Sequence, residues 1–113
     1  MDLVEEAAED VTVVSIAGRL DTQTAGRFSG RLSELLSAGH ARVLIEASKL
    51  NYISSAGFRA LLIGTKQATD EGGRLAVCSL TASMRRVIEI GGFDKVFETY
   101  PSREEALAKL SAG

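Results

Sequence analysis

The sequence predicts a single α/β domain spanning residues 1–113, with a mixed, mostly parallel sheet of about five strands and about four helices. Three observations lead there. From residue 11 onward, short runs of β-branched and aliphatic residues alternate with longer segments that carry apolar residues at helical spacing. Alternation of that kind builds a sheet with helices packed on it. Glycines fall just beyond the helical segments, where a left-handed residue is commonly needed. The chain has 113 residues, 45% hydrophobic and 25% charged, so one core forms without staples. It shows no internal repeat, low-complexity tract or linker.

The elements follow in order. "LVEEA" reads as a short edge strand, folded back through a turn at Glu9 and Asp10 onto "VTVVSIA", residues 11–17. Gly18 ends that strand. Asp21 or Thr22 caps the next helix by accepting a backbone N–H. Ala25, Phe28, Leu32, Leu35 and Leu36 form its apolar face, and Gly39 suits its end. "RVLIEA", residues 42–47, is a strand of the buried, parallel kind. A second helix opens in "NYISSAGFRALL" and runs to about residue 71, with Phe58, Leu61, Leu62 and Thr65 inward and Gly72–Gly73 stopping it. "RLAVCSL" is a third buried strand. "TASMRRVIEIGG" is a short helix capped by Thr81, with Met84, Val87 and Ile88 inward. "KVFETY" is the last strand. "PSREEALAKL" is the last helix, where Ser102 and Glu105 have capping-box spacing after Pro101. The order is β-β-α-β-α-β-α-β-α.

Composition excludes several functions. A formal net charge of -2 with no basic run gives no footprint for nucleic acid or a membrane surface. Aromatics at 5% leave little stacking surface for single strands. One cysteine, Cys78, in an apolar strand, and an acidic N-terminus without signal-peptide order point to the cytoplasm. One histidine and one cysteine do not make a zinc site, and no phosphate-binding loop is present. No cofactor is expected. Carboxylate pairs such as Glu104–Glu105 read as solvated faces.

What remains is the pair Ser54–Ser55. Two hydroxyls at a helix mouth have three readings: a cap, a nucleophile, or a site of modification. A nucleophile needs a base. His40 is the single histidine, nothing in the sequence brings it to the serines, and no G-x-S-x-G elbow surrounds them. One serine suffices as a cap. The small residues Ala56 and Gly57 leave a flat, accessible backbone at which a partner approaches closely.

"RVLIEASKLNYISSAGFRALL" resembles the signature of STAS domains, especially bacterial anti-sigma factor antagonists: an apolar strand, a loop ending in D-S-[ST]-G or S-S-[AT]-G, and an apolar helix. "GRLDTQTA" is similar to the family's G-x-[LI]-D-x-x-[ST]-[AS] segment, and "GGRLAVCSLTASMRRVIEIGGFDKVFETYPSREEAL" to its C-terminal half. The resemblance covers nearly the whole chain. It implies a STAS-like single domain, a non-enzymatic monomer that acts by partner switching. The unphosphorylated form binds an anti-sigma factor that is also a GHKL-type serine kinase. Phosphorylation of one serine releases the complex, and a PP2C-type phosphatase resets it. The modified serine falls on Ser55, with Ser54, which replaces the usual aspartate, as the alternative. Asp21 matches the family's acidic residue beside that site. The implied partner surface takes in Asp21, Thr22 and Thr24, then Ser54, Ser55, Ala56, Gly57, Phe58, Arg59 and Leu62. Phe58 reads more readily as core, and Arg59 as the exposed contact. A STAS scaffold or transport accessory that is never phosphorylated is the competing implication.

Overall fold

A computed structural model describes residues 1–111. The chain forms one sheet in the order β1-β2-β3-β4-β5. The strands are β1 (Asp2–Ala8), β2 (Val11–Leu20), β3 (Arg42–Ile53), β4 (Arg74–Cys78) and β5 (Glu98–Tyr100). The helices are α1 (Ala25–Ser37), α2 (Ser55–Asp70), α3 (Ala82–Ile90) and α4 (Arg103–Ser111), with a 3-10 turn at Phe93–Lys95. β1 pairs antiparallel with β2 as a hairpin, and the remaining neighbours pair parallel. Fold class and element order agree with the sequence reading.

Period-two alternation gives the inner strands two apolar faces. Val14, Ile16, Val43, Ile45, Leu75 and Val77 pack beneath α1 and α2 in the larger core. Val11, Val13, Leu44, Ala76 and Cys78 face the other way, onto Ala106 and Leu110 of α4. Arg31 of α1 holds Glu5 at 2.5 Å and Arg103 of α4 holds Glu6 at 2.7 Å, so β1 is tethered from both helical layers.

Two strands run further than their composition suggests. β2 continues through Gly18 to Leu20, and β3 through the polar "SKLNY" to Ile53. The extension pairs Ala17 with Lys49, Gly18 with Leu50, Arg19 with Tyr52 and Leu20 with Ile53. Register shifts between Ser15 and Ala17 and between Gly18 and Arg19 absorb the irregularity. Gly18, at φ 95°, supplies a conformation other residues avoid, so it kinks the strand where the sequence suggested an end. Each extended backbone satisfies the other, which local polarity does not reveal. The last strand is shorter than read, because residues 93–95 close into the 3-10 turn.

Candidate functional site

The extended ends of β2 and β3 carry the serines. The Ser54 N–H donates to Leu20 O at 2.9 Å, which moors the start of α2 to the end of β2. Ser54 is extended (φ −90°, ψ 175°), and its Oγ accepts the Gly57 N–H at 3.3 Å. It is therefore the N-cap. Ser55 is the first helical residue and is exposed; among the described residues its Oγ has no hydrogen-bond partner. The two hydroxyls have separate duties, one spent on the backbone and one facing solvent. Ser54→Ala is expected to lower stability by about 1 kcal/mol in denaturant unfolding. Unchanged stability would show that the cap contributes nothing.

Gly57 departs from the sequence reading. It is buried, not an accessible surface. A Cβ there would stand 2.6 Å from Leu20 O and 2.9 Å from Ile53 Cγ2. The glycine lets the helix start press against the sheet, and only Ser55 and, in part, Ala56 are left open beside it. Phe58 is core, 6% exposed, stacked on Phe93 with ring centroids 4.5 Å apart. Leu62 is half-buried, packed against the edge of the core and open on its other side to the cleft, while α2 turns Gly57, Phe58, Ala60, Leu61, Gly64 and Ala68 fully inward. Arg59 is exposed, as read.

The loop after β2 lies at the same end of the sheet, since Leu20, which receives the Ser54 N–H, precedes Asp21. α1 starts later than expected, at Ala25, with Thr24 at the N-cap position. Asp21 therefore caps a turn instead of the helix: Oδ1 accepts the N–H groups of Gln23 (3.0 Å) and Thr24 (3.2 Å). Thr24 Oγ1 accepts the Asp21 N–H at 2.8 Å and shares its proton between Arg19 O at 2.9 Å and Asp21 Oδ1 at 3.2 Å. Thr22 is exposed. Partial desolvation works to raise the Asp21 pKa, but hydrogen bonds from the Thr24 hydroxyl, the Gln23 N–H, Arg19 and the Thr24 N–H together hold it below the usual carboxylate range. Its stabilising charge is thus complete above the ordinary carboxylate pKa and is lost only as pH falls through the depressed folded value. Arg19 reaches Asp21 at 3.4 Å and lies 4.0 Å over the Tyr52 ring, linking the loop to the rim beside the serines.

Between α2 and α3 runs a cleft of about 630 Å³. One wall is Tyr52, Ile53, Ser54, Ser55, Arg59 and Leu62; the other is Val87, Ile90 and Gly91, with Phe58 and Phe93 completing the lining. Sequence reasoning missed the second wall. Val87 was expected inward, yet it is 44% exposed, and Ile90 is 80% exposed. Within α3 only Ile88 is buried, with Met84 half-buried. The available signal was Ile90 itself, an isoleucine two positions past Ile88 and off the inward stripe.

His40 sits elsewhere. Its Nδ1 is 3.3 Å from Thr12 Oγ1, at the start of β2, whereas the serines adjoin Leu20 at its end. At ~3.3 Å per residue those points are roughly 25 Å apart, so no Ser–His pair forms. Cys78 is fully buried, and burial pushes its thiol pKa up against the opposing effect of the Ser79 hydroxyl, which favours the thiolate. No helix among the described residues is long and apolar enough to cross a membrane.

The STAS domain family matches residues 3–106, and the chain belongs to that family. Within it, the resemblance is to anti-sigma factor antagonists, a non-catalytic group. A Bordetella bronchiseptica protein named "Putative anti-sigma factor antagonist BtrV" is 32% identical, over 96% of this chain and 93% of its own length. The structure of an anti-sigma factor antagonist from Mycobacterium paratuberculosis is 25% identical and superposes with a TM-score of 0.87, over 97% of this chain and 93% of that one. The fold is also that of the Bacillus anti-sigma factor antagonist SpoIIAA, 18% identical. Its unphosphorylated form superposes with a TM-score of 0.75 over 99% of both chains. Its phosphorylated form gives 0.72 over 96% of this chain and 98% of that one.

Proposed function

We propose that this protein is an anti-sigma factor antagonist that works as a phosphorylatable partner switch. In its unmodified form it binds an anti-sigma factor with serine-kinase activity and so frees a sigma factor. The kinase transfers the ATP γ-phosphoryl group to Ser55: the Oγ–P bond forms, the bond to ADP breaks, and the hydroxyl proton passes to a base of the kinase. A PP2C-type phosphatase hydrolyses the ester and restores the hydroxyl. One observation carries the choice of Ser55. Its hydroxyl is exposed and unengaged at the mouth of an apolar cleft, while that of Ser54 caps the helix.

The physical setting supports a switch without refolding. A phosphoserine brings about −1.5 to −2 charges. At a helix N-terminus the free N–H groups and the dipole tolerate that charge. In a packed interface the same group would be desolvated beside a partner surface fitted to a neutral serine. The binding surface consists of Ser55, Ala56, Arg59 and Leu62 on α2, the Asp21–Thr24 loop, and the exposed Val87 and Ile90 across the cleft. Gly57 and Phe58 support it from beneath.

Incubation with candidate kinases and ATP, followed by mass spectrometry, tests the assignment. Phosphate on Ser55 is the expected result. Phosphate on Ser54 alone moves the site by one residue, and none with a cognate kinase favours the scaffold or accessory role. Arg59→Glu is expected to weaken kinase binding about tenfold, equivalent to ~1.4 kcal/mol. Thermal stability should change by less than ~0.5 kcal/mol, as for other exposed positions. Unchanged affinity removes Arg59 from the surface.

A further inference from the structure

We infer that Arg59 is the internal counter-ion of the phosphorylated Ser55, so that modification both adds charge and withdraws a cation from the partner. This rests on Ser55 as the modified residue. Ser55 and Arg59 are four apart on α2, both exposed, and both line the cleft. Residues at that spacing are neighbours on one helix face, ~5–6 Å apart at Cβ. Long helical side chains lean toward the helix N-terminus, so the Arg59 guanidinium extends over the turn that holds Ser55.

Two further facts leave Arg59 available. Among the described residues no carboxylate lies within ion-pair distance of it, in contrast to Arg19, Arg31, Arg42, Arg74 and Arg103. Among the described residues, the cleft lining includes no Asp or Glu. In a chain with a net charge of -2, this is a local field waiting for an anion. A phosphate on Ser55 Oγ supplies one, and guanidinium and phosphate pair in a fork geometry. In the unmodified protein the same guanidinium is free to meet an acidic group of the partner.

The test uses full-length protein with phosphoserine installed at position 55 during synthesis, so that it does not depend on any kinase. The second phosphate pKa is followed by 31P NMR titration in the wild-type background and in Arg59→Gln and Arg59→Lys. An exposed pair of this spacing is worth ~0.5 kcal/mol, so Arg59→Gln should raise the phosphate pKa by about 0.4 pH unit relative to wild type. Arg59→Lys should restore most of the difference. In 1 M salt, with a Debye length of about 3 Å, the difference should shrink. A phosphate pKa identical in wild type and Arg59→Gln overturns the counter-ion role while leaving Ser55 as the modified residue. Kinase assays that place phosphate elsewhere overturn the switch at Ser55 independently of this titration.

Discussion

Phe58→Ala is expected to cost about 3–5 kcal/mol of folding stability, the range for removing a buried aromatic ring. The ring is 6% exposed and stacks on Phe93 at 4.5 Å, while Phe97 lies 6.5 Å from Phe58 and 6.0 Å from Phe93. These three aromatics join α2 to the turn that follows α3. Losing the Phe58 ring removes its transfer free energy, leaves a cavity, and unpins the second wall of the cleft. The thermal midpoint should fall on the order of 10 °C or more. A midpoint within 2–3 °C of wild type, against ~4 °C per kcal/mol expected, would mean that Phe58 is a surface residue after all. Phe58→Leu should be much milder, because it keeps most of the apolar volume. The comparison separates a packing role from a partner contact.

Ser55→Asp is expected to lower affinity for the partner kinase roughly a hundredfold while the fold stays intact. The affinity figure corresponds to ~2.7 kcal/mol, the scale of placing a desolvated charge in a fitted interface. The fold survives because Ser55 is exposed and an acidic residue in the first turn of a helix is favourable by ~0.3–1 kcal/mol. Ser55→Ala should bind like the unmodified protein and take up no phosphate. Calorimetric titration of the kinase and a melting curve for each variant check both halves. Wild-type affinity in Ser55→Asp would sink the electrostatic switch, and a collapsed melting curve would point to a structural role for Ser55 instead.

Part of the site was legible in local sequence. Spacing alone makes one of the two serines before "AGF" a cap and leaves the other hydroxyl over; which serine takes which duty is set by the structure. Asp21 was also visible as a backbone acceptor, although it serves a turn and not the helix itself. Gly57 was misread because its purpose is non-local: Leu20 O, which forbids a side chain there, belongs to a strand more than thirty residues earlier. Val87 was misread for a different reason. In α3, apolar residues at 84, 87, 88 and 90 fall within one arc of roughly 160°, so periodicity marks an apolar face, but only Ile88 is buried and Val87 and Ile90 are left exposed.

The sequence by itself determined the element order, the two-faced apolar strands, the cap, and the family resemblance. Each element, apolar face and cap depends on spacing within a dozen residues, and the resemblance on the order of such motifs along the chain. Tertiary structure alone decided that β2 and β3 extend each other, that Gly57 is a packing contact, and that Val87 and Ile90 face Ser55 and Arg59 across one cleft. Local periodicity says which side of an element is apolar. What covers that side, and what is left uncovered, depends on how distant segments pack.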